Sequence, residues 1–437
     1  MNATRIPTLD DLTSAVRFLT QLPRLLRRTF TTEEVHALLR RDLERREVNF
    51  LDLARTAIFA NSKSPFRKLL HYAGCEYHEV ENLVRKKGLE ETLRELYRRG
   101  VYLTVEEAKG RRPVIRDNTN FYVAPEDLRN PGLQADIAVR TSGSRGRGTL
   151  VPIDFASFRA NSYDAYLDLE TRCGLSWHHA FWLVPGSLVI TRFIRYTLSG
   201  ARIARWFTLV DPGSAALHLR YNWSMRFLRW AGLLAGVRFP RPIYTEFQNP
   251  IAIVHWMESV LHAGETPHLH SYASCVVRVC ETALEHGISL VGAQFTMVGE
   301  PLTAARLAIV QRAGARASIR YASAEMSVVG FGCMAPQATD EVHFMTDRCA
   351  VIQPQTESVS GLHRDALLVS VRPKTPFFWK TGRLTFECNM RVSCFDVRKA
   401  KFFSCCEWER EFRQFLDEQI RMITKVMPVT RPAFVFS

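Results

Sequence analysis

Long apolar runs are scarce in this sequence. An uncharged stretch covers Gly174–Thr191, but it contains two histidines, a proline and two glycines, whereas a membrane-spanning helix needs about 20 predominantly apolar residues. The first residues, MNATRIPTLDDL, lack the charged and apolar regions of a secretory signal. We therefore expect a cytoplasmic protein with no membrane span, in which the ten cysteines are thiols.

The spacings typical of metal sites are also missing. The chain has no Cys-x-x-Cys pair, and no two of its histidines stand four residues apart beside an acid. Cys275 and Cys280 lie five residues apart in a helical pattern, and we interpret them as buried core thiols. The sequence therefore argues against a zinc centre.

Positive charge is abundant, yet it is not concentrated. Lys and Arg number 58 against 44 Asp and Glu, which gives a formal net charge of +14. The densest clusters are Arg24–Arg28, Arg40–Arg46 and Lys109–Arg112, and none is a block of five like charges. The net charge favours anionic ligands, while the scattered pattern argues against nucleic-acid binding as the main function. A basic protein that binds nucleic acid or an anionic surface remains an alternative.

Composition and patterning indicate a folded protein with several parts. The 437 residues are 46% hydrophobic and 23% charged, and at roughly 100–200 residues per domain they allow two or three domains. A capping box at Thr31 and Glu34 and apolar spacing over Leu83–Tyr97 predict a helical segment over residues 1–100. Strand and helix patterns alternate over 101–375, which predicts an α/β architecture. Residues 376–437, with four cysteines, form an atypical tail.

A loop rich in glycine, serine and arginine follows the strand-like segment ADIAVR. Its backbone can expose successive N–H groups, and its hydroxyl and guanidinium groups add donors, as a polyphosphate requires. A surface linker has a similar composition and is the alternative interpretation. The loop consists of Thr141, Ser142, Gly143, Ser144, Arg145, Gly146, Arg147 and Gly148.

Two further segments place an acid beside small residues at predicted strand ends. The first contains Gly299, Glu300 and Pro301, and the second runs from Tyr321 through Ala322, Ser323 and Ala324 to Glu325. Open α/β sheets bind ligands at such ends, and a carboxylate there can hold Mg²⁺ together with phosphate oxygens. The alternative is a glutamate that caps a helix and a tyrosine of the core.

Together and in this order, the three segments resemble the motifs of the adenylate-forming superfamily, in particular the phenylacetate–CoA ligase branch. That family has T/S-S-G-S/T-T-G-x-P-K, then G-x-E-P-x-T, then Y-G-x-T/S-E. Ser64–Phe66 is similar to the family's SPFYRRL segment, and Glu341–Pro354 is similar to the strand pair after the third motif. The resemblance covers about residues 60 to 375 and implies an acyl-CoA synthetase-like N-terminal domain, with β-sheets flanked by helices.

The resemblance also implies a reaction and its reactants. The carboxylate of a small-molecule acid would attack the α-phosphate of ATP with Mg²⁺, releasing pyrophosphate and giving an acyl-adenylate. In this family the acyl group often then passes to the thiol of CoA, with release of AMP. Thr141–Gly148 would surround the phosphates, Gly299–Pro301 and Tyr321–Ser323 would line the adenine pocket, and Glu325 would bind Mg²⁺. Arg145 and Glu325 would be the catalytic residues. In the family, the stretch that here reads His268–Cys275 lies by the acyl pocket.

Several positions depart from the family pattern. Arg145 replaces a threonine, Gly148 and Thr149 replace Pro-Lys, and Ala324 replaces a hydroxyl residue. Arg383 stands where the family has an aspartate that accepts hydrogen bonds from the ribose, and arginine has no acceptor. Residues 376–437 do not resemble the family's mobile C-terminal domain. A truncated homologue that is non-catalytic or performs a half-reaction is therefore a second interpretation.

Overall fold

The computed structural model describes most of the chain up to Ile352 and three short strands beyond it. The described ranges are 20–133, 137–140, 150–211, 219–323, 327–332, 341–352, 366–370, 379–382 and 393–394. The predicted loop Thr141–Gly148 and the residues Ala324 and Glu325 lie outside these ranges, as does most of the tail.

Helices cover most of residues 20–98 and then alternate with strands. Residues 20–26 are helical, and a π-helix, Ala54–Phe59, follows the second labelled helix. The labelled helices are α1 Thr32–Glu44, α2 Arg46–Leu53, α3 Pro65–Tyr72, α4 Tyr77–Lys87, α5 Leu89–Arg98, α6 Val105–Ala108, α7 Phe155–Ala160, α8 Tyr163–Glu170, α9 Ser187–Leu198, α10 Leu219–Leu234, α11 Ile251–His262, α12 Ala273–Glu285 and α13 Ala304–Arg312.

Strands form one large mixed sheet and three small ones. The strands are β1 Val114–Arg116, β2 Thr119–Phe121, β3 Ile137–Arg140, β4 Leu150–Ile153, β5 His178–Leu183, β6 Ile203–Thr208, β7 Pro242–Tyr244, β8 Pro267–Tyr272, β9 Gln294–Val298, β10 Arg316–Ser323, β11 Ser327–Phe331, β12 His343–Phe344, β13 Cys349–Ile352, β14 Ala366–Ser370, β15 Trp379–Gly382 and β16 Ser393–Cys394.

The large sheet has the strand order β16-β12-β11-β10-β9-β8-β5-β6-β7. The six strands from β10 to β7 in this order are parallel, whereas β11 is antiparallel to both β10 and β12. The chain lays β6 and β7 on one side of β5 and then returns to lay β8, β9 and β10 on the other. The border between β5 and β8 is therefore a topological switch point, and the predicted α/β class is confirmed.

Helices cover both faces of this sheet. In β5, Phe181 and Leu183 pack in one cluster with Phe193 of α9, while Trp182 between them packs in the opposite cluster with Met257 of α11. This alternation follows from the two-residue period of a strand with two buried faces. Each such side chain contributes roughly 1.5–3 kcal/mol when fully buried. The uncharged stretch Gly174–Thr191 thus contains the core strand β5, a turn and the start of α9.

The helices before the sheet have a core of their own. Leu53, Phe66 and Leu93 pack together, and Ile352 of β13 joins the same cluster. The Thr31 hydroxyl accepts the N–H of Glu34 at the start of α1, which is half of the predicted capping box. The Glu34 carboxylate accepts hydrogen bonds from the Arg159 guanidinium instead of returning to Thr31.

Gly88 divides the helical pattern predicted over Leu83–Tyr97 into α4 and α5. Its φ of +74° is unfavourable for other residues, its N–H ends α4 on the Val84 carbonyl, and its own carbonyl accepts the Thr92 hydroxyl of α5. Apolar periodicity continues across the break because both helices pack on the same core.

Four cysteines of the described residues are buried thiols, namely Cys75, Cys275, Cys280 and Cys349. Burial raises the pKa of Cys275 to about 11, so its thiol is protonated at neutral pH. The expectation that all ten cysteines are thiols is wrong at Cys173, which is disulfide-bonded. Cys173 stands in an exposed turn after α8. None of the helices in the described ranges combines the length and apolar character that a bilayer crossing requires.

Candidate functional site

Two of the three predicted motifs lie side by side at the carboxyl edge of the large sheet. Val298 at the end of β9 pairs with Tyr272 at the end of β8 on one side and with Arg320 near the end of β10 on the other. Gly299 follows β9 directly, and Tyr321 follows Arg320. Because neighbouring parallel strands end at the same edge, the two segments that sequence motifs single out are neighbours in space.

Gly299 provides the sharp turn at this edge. Its φ is +76°, and a Cβ added to it would lie 3.2 Å from Cδ1 of the Tyr272 ring. A larger residue would therefore be strained in its backbone and crowded by the tyrosine. Tyr272 is half-buried, and this burial raises the pKa of its hydroxyl. The ring and the turn thus hold one another in place.

Glu300 is engaged by the protein itself. Its Oε2 accepts the backbone N–H of Ser274 at 2.9 Å, and its Oε1 accepts the Ser274 hydroxyl at 2.8 Å. The Arg306 guanidinium lies 3.1 Å from the same carboxylate. Ser274 is in the first turn of α12, so Glu300 caps this helix as an acid at a positive helix end should. For this side chain the structure favours the helix-capping alternative.

Tyr321 and Ala322 lie at the end of β10 and are both half-buried. The register between β10 and β11 shifts between these two residues, and such a bulge re-aims the side chains beside it. Ser323 ends the strand, and Glu325, the predicted magnesium ligand, lies outside the described residues. The described part of this motif thus reaches the same edge as Gly299.

The predicted phosphate-binding loop connects β3 and β4. These strands pair antiparallel with Arg140 opposite Leu150, and the residues between them, 141–149, lie outside the described ranges. β3 contacts α9, and α9 begins just after β5 at the switch point. The hairpin that carries the loop therefore packs against α9, the helix that follows the switch-point strand β5.

A buried ionic cluster supports this part of the sheet. Asp164 of α8 is fully buried and pairs with Arg195, Arg320 and Arg348, the last at 3.2 Å. Burial alone would raise the pKa of Asp164, but these arginines together hold it well below its ordinary value. Asp168 pairs with Arg320 at 2.7 Å. These contacts fix β10 against α8 and α9 directly below the motif residues.

Three buried histidines form a neutral network in the core. His179 and His268 approach at 2.8 Å between their Nδ1 atoms, His268 Nε2 meets the Thr296 hydroxyl at 2.8 Å, and His270 Nδ1 meets the Tyr196 hydroxyl at 3.1 Å. Burial lowers the pKa of all three rings, that of His179 to about 3. Among the described residues no group of three or more His, Cys, Asp or Glu side chains could hold a metal ion.

The stretch His268–Cys275 is mostly core and not exposed lining. Its strand residues are covered by helices on both faces, and within it only Tyr272 and Ser274 keep partial exposure. Only these two side chains of the stretch are thus available to a substrate at the carboxyl edge.

Apolar side chains are exposed at the same edge of the sheet. Val184 follows β5 and is 44% exposed, Tyr244 ends β7 at 49%, and Phe247 is 38% exposed while stacking on the buried Trp182. We call Val184, Tyr244 and Phe247 the apolar edge patch. Val184 was not singled out from the sequence, although the Pro-Gly turn after a buried strand marks its position.

Comparison with known proteins gives distant structural similarity. No family model matches the chain, and no curated protein matches it. The chain is similar to a solved structure of 2-hydroxyisobutyryl-CoA ligase in complex with 2-HIB-AMP and CoA, with 16% identity and a TM-score of 0.44 over 81% of this chain and 64% of that one. The chain thus spans less than two thirds of that enzyme's length.

Two other solved structures are similar at a comparable level. An acyl-CoA synthetase (AMP-forming)/AMP-acid ligase II-like protein from Dyadobacter fermentans has 14% identity and a TM-score of 0.30, covering 56% of this chain and 55% of that one. The luciferase-like enzyme of the mealworm Zophobas morio has 10% identity and a TM-score of 0.31, covering 67% and 63%. Two of these neighbours are thus named as a CoA ligase and an AMP-forming synthetase-like protein, and all three are only distantly similar to this chain.

Proposed function

We propose that this protein activates a carboxylic acid as an acyl-adenylate, with ATP as the nucleotide. The observation that carries the proposal is the meeting of Gly299–Pro301 and Tyr321–Ala322 at the carboxyl edge of adjacent parallel strands, beside a topological switch point. The two segments are separate in the sequence and belong to the ends of different strands, so only the fold brings them together.

The motif residues have distinct proposed roles. Thr141–Gly148 bind the phosphates of ATP, with Arg145 placing positive charge near the reacting phosphorus. Gly299–Pro301 and Tyr321–Ser323 surround the adenine through their backbone and the Tyr321 ring. Glu325 binds Mg²⁺, which is satisfied by one or two carboxylates plus phosphate oxygens and would neutralise charge on the nucleotide. Catalysis of this kind depends on alignment and charge stabilisation more than on a protein nucleophile.

The apolar edge patch supports an aryl or long apolar acid. Val184, Tyr244 and Phe247 expose apolar surface beside the strand ends, and such surface favours binding of an apolar group next to a few polar contacts. We propose that the activated acyl group passes to the CoA thiol, as in the phenylacetate–CoA ligase branch, and that the reaction takes place in the cytoplasm.

A half-reaction or non-catalytic role is the second candidate. Trp379–Gly382, the start of the family's ribose-binding motif, forms β15, paired with β14. The next residue, Arg383, cannot accept hydrogen bonds from ribose hydroxyls. We keep the division into residues 1–100, 101–375 and 376–437 as part of the proposal.

Carboxylate-dependent exchange of pyrophosphate into ATP tests the proposal. A panel of aryl and aliphatic acids is assayed with the full chain and with Glu325→Gln, which keeps the size of the side chain and removes its charge. We expect exchange with at least one apolar acid and a loss of 100-fold or more in the variant, on the scale of removing a group that stabilises transition-state charge. Metal-dependent ATP binding without exchange for any acid would favour the non-catalytic candidate.

Phe247→Ala tests the assignment of the acid. If the apolar edge patch contacts the acyl group, this variant shifts the preference from aryl toward smaller acids, while Val291→Ala, at an exposed site away from this edge, leaves it unchanged. An unaltered preference in Phe247→Ala would remove the patch from the acyl site.

A further inference from the structure

Arg192 in the middle of α9 is a buried cation that has no partner among the residues the structure describes. Its side chain is only 6% exposed, and among the described residues it forms no hydrogen bond and no ion pair, with its Nε buried and unsatisfied. By contrast, Arg195, Arg320 and Arg348 around it each meet an aspartate. A buried charge with no partner is costly, and native proteins rarely retain one without a reason.

The acids of the cluster are already engaged elsewhere. Asp164 pairs with three arginines, and Asp168 pairs with Arg172 and Arg320. Burial, and then the charges of Arg320 and Arg195, lower the pKa of Arg192 to about 9, so it remains a cation at neutral pH. The cluster around Arg192 therefore carries an excess of positive charge.

Arg192 lies toward the carboxyl edge of the sheet. It stands one turn before Arg195 on α9, and α9 begins at that edge. The Arg195 guanidinium donates to the Ser327 hydroxyl, where β11 begins opposite the last residue of β10. Helix side chains lean toward the helix N-terminus. The Arg192 side chain therefore lies level with the contact between Arg195 and Ser327 or closer to the carboxyl edge, near the end of β10.

A second buried polar atom also lacks a hydrogen-bond partner among the described residues, Nε2 of His270 in β8. Burial is the main cause of the lowered pKa of His270, and the charge of Arg192 lowers it further. This ring lies in the core and is not a ligand group of the edge. The Arg192 guanidinium, by contrast, is a donor fork of the kind that an oxyanion can satisfy.

We propose that Arg192 is the buried cation of an oxyanion site at the carboxyl edge, between α9 and the end of β10. The ligand is a phosphoryl group of the nucleotide or the carboxylate of the acid, and this choice of ligands rests on the proposed adenylation. In this chain Gly148 and Thr149 stand where related loops have Pro-Lys, and Arg192 of α9 supplies a cation. Arg192 is a fixed binding group, since its helix is packed on both sides.

Ligand-dependent thermal stability and calorimetric binding test the site without requiring turnover. The full chain, Arg192→Met, Arg192→Lys and the control Arg205→Met are titrated with inorganic pyrophosphate and, separately, with benzoate at constant ionic strength. Arg205 is exposed on β6 and bonds only the neighbouring Ala204 carbonyl, so the control changes the net charge equally. We expect Arg192→Met to bind one of the two probes about tenfold or more weakly and Arg205→Met to bind like the wild type.

The two probes identify the source of the oxyanion. Weakened pyrophosphate binding assigns the site to the nucleotide phosphates, and weakened benzoate binding assigns it to the acid. Ligand-free Arg192→Met should unfold at the same temperature as the wild type or higher, because an unpaired buried charge has been removed. Equal binding of both probes by wild type and Arg192→Met, or no binding of either by wild type, overturns the site.

The exchange assay separates this site from the proposed function. Exchange by the wild type, together with unaltered probe binding in Arg192→Met, refutes the site and leaves adenylation standing. A loss of probe binding in Arg192→Met without exchange for any acid supports the site and refutes adenylation. Should Arg192→Met not fold, Arg192→Lys retains the charge and is expected to fold and to bind with an intermediate loss, since lysine lacks the bidentate fork.

Discussion

The carboxylate of Glu300 accepts both the backbone N–H and the hydroxyl of Ser274, at 2.9 and 2.8 Å. This pair joins the turn after β9 to the first turn of the helix after β8. The turn that carries the second sequence motif is thereby fixed to the helix that follows its neighbouring strand.

Glu300→Ala should destabilise the fold by about 1–2 kcal/mol, because the variant removes a helix cap and an ion pair with Arg306. Glu300→Gln retains an acceptor and should lose less. Equilibrium unfolding in urea measures the difference, and the exposed Glu265→Gln serves as a control with no expected effect. If Glu300→Ala unfolds at the wild-type urea concentration, the cap contributes nothing.

Gly299→Ala should be more destabilising than Gly287→Ala. Both glycines have a positive φ, +76° and +67°, but an added Cβ meets Tyr272 at 3.2 Å only in the first case and nothing within 4 Å in the second. The backbone penalty of about 1 kcal/mol is common to both. Thermal unfolding of the two variants isolates the contact with the ring, and equal losses would show that Tyr272 moves freely.

Asp164→Asn should cost about 3–5 kcal/mol, because it leaves Arg195, Arg320 and Arg348 without their shared anion. The folded pKa of Asp164 is lowered from 3.8, so its contribution is present above this value and is lost as the pH falls below it. The exposed pair of Asp52 and Arg55 provides the control, and Asp52→Asn should cost less than about 0.5 kcal/mol. Comparable losses in both variants would contradict the role of the cluster.

The three core histidines should make stability fall with acidification below neutral pH. Their ordinary pKa is 6.5 and burial lowers it in the folded chain, so stability is present above 6.5 and is lost as the pH falls through that value. His270→Gln should reduce the slope of unfolding free energy against pH by about 1.4 kcal/mol per unit between pH 6 and 5. The exposed His262→Gln should leave the slope unchanged. A slope unaltered in His270→Gln would mean that His270 titrates normally in the folded state.

Local patterns predicted the elements but not their long-range partners. The alternation of strands and helices, the cap at Thr31 and the position of the Gly299 turn at a strand end all follow from neighbouring residues in the chain. The break at Gly88 could not be predicted from neighbouring residues. Because α4 and α5 pack on the same core, the apolar period continues across the break. Periodicity reports which face is buried and is insensitive to a kink between two helices on the same surface.

The charged cluster was beyond the reach of local reasoning. Asp164 and Arg320 are 156 residues apart in the chain, and nothing near either residue distinguishes it from a surface charge. Glu300 was ambiguous for the same reason, because its partner Ser274 belongs to a different strand-helix unit. The chemistry of a side chain is readable from sequence, whereas its availability depends on partners that the fold brings to it.

The strand order has a consequence for how the edge could be reshaped. One flank of the switch point comes from residues 178–244 and the other from residues 267–323, so each flank is a continuous segment of chain. An exchange of either segment between related proteins would replace half of the ligand-facing edge while keeping every hydrogen-bonded strand pair of the other half. The α11 segment between them, Ile251–His262, is a natural place to join such halves.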